Sequence, residues 1–194
     1  MNRNVFATRA EQLRANRQGL WLFLGALAIL FGAAMLVVLS IRMQAIGWPR
    51  DLPPLPSTLW VSTGVLLGAG LALQWAVVAS RCRQMGELKL SLAAALLLAL
   101  CFLVLQTMAW FQWTEAVGEL GALQEEHRLA ETGFMLLTGL HAAHIIGGLV
   151  PLGLVAWLAI ASGFASPSLP GTTIYWHFLS VIWICLVLFM LFML

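Results

Sequence analysis

Charge is what this sequence has least of. Lys, Arg, Asp and Glu together make up 9% of its 194 residues, against roughly 25% in a soluble domain. From Thr132 to Leu194 there is none. Such a chain is excluded from the water-soluble class. Cysteine is scarce too. Cys82, Cys101 and Cys185 are odd in number and far apart, which argues against a disulfide framework or a paired metal motif. Cys101 and Cys185 fall in apolar runs, where a thiol acts as a small hydrophobe. There is no glycine-rich phosphate loop after a strand and no low-complexity tract. No basic run with interleaved aromatics occurs, and a net charge of +2 gives no sign of a nucleic-acid partner.

What is present is apolar length: 61% of the residues are hydrophobic. A secretory leader would be one short apolar stretch of about 7–15 residues ahead of a polar chain. Here apolar stretches fill nearly the whole sequence, so the first is expected to be a span. A helix needs about 20 residues to cross the hydrocarbon. Uncharged runs of that size occupy 18–41, 52–80 and 90–114. The run 132–194 is long enough for two crossings. It breaks at SGFASPSLPGTT, 162–173, where Gly, Pro and Ser cluster. We expect an all-α integral membrane protein, a five-helix bundle with helices near 18–42, 57–80, 89–113, 130–162 and 171–194. Barrel strands are excluded because the runs lack apolar/polar alternation.

The basic residues set the expected orientation. Arg3, Arg9, Arg14, Arg17, Arg81, Arg83 and Lys89 lie on the amino-terminal side, seven of the ten. The third loop is acidic, with Glu115, Glu119, Glu125, Glu126 and Glu131. The amino terminus is therefore expected in the cytoplasm and the carboxyl terminus in the periplasm. Residues 1–17 read as a cytoplasmic segment: a solvated leader held at the headgroups by its arginines, or a short interfacial helix using Phe6 and Leu13. Trp48, Trp60, Trp110 and Trp113 stand near span ends, as interfacial anchors do.

The stretch TGLHAAHIIGG, Thr138 to Gly148, places two titratable rings in an apolar helix. Such rings at membrane depth need a partner or a protein interior. Thr138, His141, His144 and Gly148 fall along one helical stripe, which Met135 and Glu131 extend. Gly139, Ala142, Ala143 and Gly147 form a neighbouring strip of small residues, open to close helix approach. His177 follows in TTIYWHFLSVIW. Two rings at i, i+3 can share a metal, and His177 is the obvious further ligand. At about 1.5 Å per residue from the Ser162 break, His144 lies roughly 27 Å deep and His177 about 9 Å. That separation argues against a shared metal or haem. The rings are instead expected to bond hydroxyls, carbonyls or a neighbouring subunit.

These residues carry a resemblance. TGLHAAHIIGG resembles the Thr-Gly-Phe-His-Gly-x-His-Val run of subunit III of the haem–copper oxidases, the cytochrome c oxidase and quinol oxidase family. Tyr175 to Trp183, YWHFLSVIW, resembles that family's Tyr-Trp-His-Phe-x-Asp-x-x-Trp. Phe102 with Gln106 and Trp110, and Leu22-Phe23-Leu24, are weaker matches. The chain resembles the short five-helix form. It departs where the family has buried acids: Ala26 or Leu27, Ala109 and Ser180 stand there instead. Glu131 is the acid nearest a motif.

The resemblance implies a non-catalytic subunit of a respiratory oxidase in a bacterial plasma membrane. It implies that this chain holds no metal, haem or other cofactor, with haem and copper in subunit I. It also implies contacts with subunits I and II and other respiratory subunits, bound phospholipid, and a part in sustaining proton uptake. Thr138, His141, His144, Gly148, Tyr175, Trp176, His177, Phe178, Trp183, Gln106 and Glu131 are then structural or lipid-facing, and none is catalytic. An accessory subunit of a nitric oxide reductase, a bis-histidine membrane cytochrome and a small transporter are the other readings of the residues. A transporter would need intramembrane charge or broken helices.

Overall fold

The computed structural model describes residues 9–44, 52–119, 125–163 and 165–193, with the side chains of residues 9, 10, 12, 13, 125 and 126 left aside. Five helices follow in order: α1 Arg9–Gln44, α2 Ser57–Arg81, α3 Met85–Glu119, α4 Glu125–Ala161 and α5 Leu169–Met193. All five are long and apolar enough to cross a membrane. No strand occurs among the described residues.

The helices outrun the uncharged stretches of sequence. α1 has 36 residues, α3 35 and α4 37, or about 50–55 Å each, against a hydrocarbon core of about 30 Å. A charged residue ends the membrane-embedded part of a helix but not the helix. Arg9 to Gln18 holds no Pro or Gly, so α1 runs through this segment without a break and begins well before residue 18, where the first span was expected to start. Glu11, Arg14 and Arg17 on it are exposed. Residues 1–8, with Arg3 and Phe6, lie outside the described residues. So do Trp48 and Arg50. The true stops are backbone stops. Pro53, Pro54 and Pro56 precede α2. α2 ends in a turn where Arg83 takes the left-handed conformation (φ 57°) and the Gln84 amide bonds the Ala79 carbonyl at 2.9 Å, a Schellman-type closure with Arg in the usual glycine position.

α2, α3, α4 and α5 close a four-membered ring of neighbours. α1 stands outside it, touching α4 and α5 but neither α2 nor α3. α1 is held to α4 and α5 near its carboxyl end. Gly133 of α4 lets Val38 approach so closely that a Cβ there would stand 3.0 Å from Cγ1. Arg42 donates to the Phe192 carbonyl at 2.7 Å and lies 5.5 Å from the Phe192 ring centroid. This covers free carbonyls at the α5 terminus, where a cation is favoured. The bundle's outer surface is apolar, with Leu22 76%, Ile29 75% and Phe111 72% exposed. Its interior holds Leu and Ala together with Phe31, Phe102, Trp113, Trp176 and Trp183 and a few polar groups, Thr138 and His141 among them. An apolar outer surface is expected where lipid, not water, is the solvent.

Candidate functional site: a buried histidine seam

The seam is built where α3 and α4 run antiparallel. On α3, Phe102, Gln106, Trp110 and Trp113 recur at helical spacing and face α4. The pairing is layered. Trp113 stacks on Phe134 with centroids 4.9 Å apart. Trp110 donates its indole N–H to Thr138 Oγ1 at 2.9 Å, and Thr138 passes its own hydrogen to the Phe134 carbonyl at 2.7 Å. Phe102 meets His141 edge-on at 5.8 Å. Trp113 is therefore an interior residue and not an interfacial anchor, and the half-buried Trp110 is bonded to α4. They belong to the inward stripe of a helix that continues past them. Trp60 is 54% exposed, as an anchor would be.

His141 sits at the centre, fully buried. α5 contributes Trp183, stacked at 4.9 Å and 31°. α1 contributes Phe31 at 6.2 Å. Trp183 also contacts Phe102 at 5.1 Å and donates to Thr63 Oγ1 of α2 at 2.9 Å. Residues of α1, α3 and α5 thus meet the imidazole on α4, and α2 joins them through Trp183. Among the described residues neither ring nitrogen of His141 has a hydrogen-bond partner, so of the expected partners a hydroxyl or carbonyl of these residues is not found. The site is an aromatic box in which the imidazole is used as a ring. Gln106, one turn from Phe102, is also buried with both amide atoms unpartnered.

His144 is different. Its Nδ1 lies 2.7 Å from the Leu140 carbonyl, a contact that requires a proton on Nδ1. The ring stands 5.2 Å from Phe31. Its own carbonyl accepts from the Tyr175 hydroxyl at 2.8 Å, and Tyr175 stacks on Phe23 at 6.0 Å. Gly148, one turn on, makes room for this: a Cβ there would lie 2.7 Å from Tyr175 Cε1 and 3.5 Å from the Trp176 ring. Trp176 is fully buried and Phe178 partly so.

The depth reading is corrected by these contacts. His144 and Gly148 lie level with Tyr175 and Trp176, because α4 runs on past the start of α5 before the chain turns back. Helix ends taken as level gave a false gap. The rings are separated around the bundle instead. His144 faces α1, whereas His177 is exposed beside Gly70 of α2, with Nδ1 3.3 Å from a Cβ built there. His177 is not the buried, bonded ring expected of it. Among the described residues no group of three or more His, Cys, Asp or Glu could hold a metal, and no Asp or Glu is buried. Glu131 is half-buried on α4, and His127 is buried near that helix's start. The three cysteines are free and exposed.

Of the strip of small residues on α4, Ala142 is buried, whereas Ala143 and Gly147 are exposed. Gly139 and Gly147 have open space where a side chain would be. Ala143, His144, Gly147 and Pro151 line a cleft of about 380 Å³ with Leu20 and Phe23 of α1 and Gly171, Thr172 and Tyr175 of α5. Pro151 lies inside α4 and removes the amide that would bond the Gly147 carbonyl. The cleft is apolar with a few polar groups on one wall. Phe31, Thr63 and Gly70 carry no local signal as partners of the motif residues, since nothing in their neighbourhoods departs from an ordinary apolar span.

The chain matches the family described as Cytochrome c oxidase subunit III over residues 19–193. Cytochrome c oxidase subunit 3 of Bacillus subtilis (strain 168) is 28% identical over 170 residues, covering 86% of this chain and 80% of that protein. The protein of the same name from Bacillus sp. (strain PS3) is 25% identical over 175 residues, with the same coverage of 86% and 80%. That of Xenopus laevis is 31% identical over 130 residues, 65% of this chain. There the chain spans about half of the relative's length, 46%. With five membrane-crossing helices and a match that runs through all of them, the chain belongs to the cytochrome c oxidase subunit III family.

Proposed function

We propose that this chain is the non-catalytic subunit III of a haem–copper terminal oxidase. It stabilises subunit I, holds phospholipid, and sits in a bacterial plasma membrane with its amino terminus in the cytoplasm. The observation that carries the reading is the use made of the motif residues. His141, Trp183, Thr138 and Tyr175 bind helices to one another, and the described residues offer no ligand set. Haem and copper would then be held by subunit I, which does the oxygen chemistry. The cleft between α1, α4 and α5 supports the lipid part. Its lining is mostly apolar, and Phe23, Ala143, Gly147 and Pro151 of it are exposed on the bundle surface.

The test is purification of the tagged chain from its own membranes in mild detergent. Co-purification with a haem–copper subunit I and one or more retained phospholipids is expected. Filling the cleft with Gly147→Leu should lower the retained phospholipid seen by native mass spectrometry. A Soret band from the isolated chain, lost in His141→Ala, would sink the reading. Co-purification with a nitric oxide reductase would move the fold to a different partner.

A further inference from the structure

Two exposed polar groups on α2 and α5 have no use in the seam just described. His177 and Gln74 are both exposed, and no hydrogen bond of either occurs among the described residues. Gln74 stands seven residues before Arg81, the end of α2, and His177 eight residues after Leu169, the start of α5. Gly70 is near the middle of the 25-residue α2 and the His177 ring packs against it, so the pair lies well inside the helix from either end. Gly70, one turn from Gln74 on α2, is where the His177 ring rests, so one patch holds both side chains. Two other exposed polar groups of the spans are satisfied: Thr107 donates to the Leu103 carbonyl, and Gln112 accepts from Thr58. Around the polar pair the surface is apolar, with Leu67 42%, Leu71 71% and Val181 57% exposed.

Acyl chains offer neither donors nor acceptors. An imidazole or a carboxamide is also too short to snorkel that far to the headgroups, as Lys and Arg do near helix ends. Polar side chains at such depth face protein or a cavity. Across a helix interface they bond polar side chains of the neighbour, and a glycine there lets the backbones approach. We propose that the α2/α5 face around Gly70, Gln74 and His177 is covered in the assembled complex by a transmembrane helix of another subunit. That helix carries hydroxyl, amide or carboxyl side chains at this depth. The proposal rests on the chain being a subunit of a larger membrane complex.

Photo-reactive benzoylphenylalanine placed at Leu71 or Val181 leaves the polar pair intact and reports what lies over it. In the native membrane, cross-links to a different subunit are expected. Cross-links to lipid alone, or to a second copy of this chain, overturn the proposal. Replacing both groups, Gln74→Leu with His177→Leu, should lower retention of the chain in the purified complex at least ten-fold. The thermal midpoint of the isolated chain in detergent should stay unchanged. Undiminished retention overturns the proposal. If the double variant does not accumulate, the cross-links decide. Failure of the wild-type chain to co-purify with any other subunit removes the subunit reading itself. Co-purification with cross-links only to lipid removes this face alone.

Discussion

Tyr175 ties α5 to α4 by donating its phenolic hydrogen to the main-chain carbonyl of His144 at 2.8 Å. The acceptor lies in a helix, so it also has an amide four residues on to serve. Removing the hydroxyl leaves that carbonyl bonded. Tyr175→Phe should therefore lower the stability of the isolated chain by about 0.5–1.5 kcal/mol, the net worth of one such bond. Thermal or denaturant unfolding in detergent measures it. A loss well beyond that range would mean the hydroxyl serves a second group.

Gly148 is where that bond becomes possible. A Cβ at this position would stand 2.7 Å from Tyr175 Cε1, and the ring cannot swing away freely because its hydroxyl is bonded and its face meets Phe23. Gly148→Ala should destabilise the chain by about 1–3 kcal/mol, as overpacking does. A helix-interior Gly→Ala would otherwise gain up to about 1 kcal/mol, so the sign is diagnostic. In a Tyr175→Ala background the same Gly148→Ala change should cost little or nothing, and a Gly148→Ala chain more stable than the parent would refute the packing argument.

The sequence made some of this legible and hid the rest for physical reasons. Five spans could be read because charge is excluded from hydrocarbon, and the α4–α5 break because Gly and Pro interrupt helices. Helix ends could not be read from charge, since α1 and α3 carry exposed Arg and Glu on turns that continue into water. The histidine pair stood out, but its surroundings did not. Phe31 and Phe102 come from other helices, and an apolar span carries little periodicity to show which face is inward. Depth counting failed at His177 because it assumed that α4 and α5 end level. The placement of α1 outside the ring of four is a tertiary fact with no local signature.

Trp183 joins α5 to α2 through its indole N–H on Thr63 Oγ1, while its ring face carries His141. Trp183→Phe removes the bond and some area, and Thr63→Val removes the acceptor while keeping the shape. Each should cost about 1–3 kcal/mol, because each orphans or truncates a buried partner. The double variant should cost less than the sum, with a coupling of about 0.5–1.5 kcal/mol. Strict additivity in a double-mutant cycle would show that the two side chains stand together without exchanging a hydrogen bond.

His141 provides the sharpest separation between a ring used as a ring and a ring used as a polar group. It is fully buried, it meets Phe31, Phe102 and Trp183, and both nitrogens are unpartnered. His141→Ala should cost about 3–5 kcal/mol, the range for deleting a buried aromatic ring, and weaken assembly more than electron transfer in the complex. His141→Phe keeps the aromatic contacts and removes two buried polar atoms. It should leave the isolated chain as stable as the parent, or more so, in the same unfolding assay. If Phe proves as harmful as Ala, the imidazole nitrogens are bonded in the membrane. The buried, unpartnered amide of Gln106 on the facing helix would then be the first partner to examine, by combining His141→Phe with Gln106→Leu. Strong coupling between those two changes would mean that ring and amide share one hydrogen-bonded unit, and independence would return the site to a purely aromatic box.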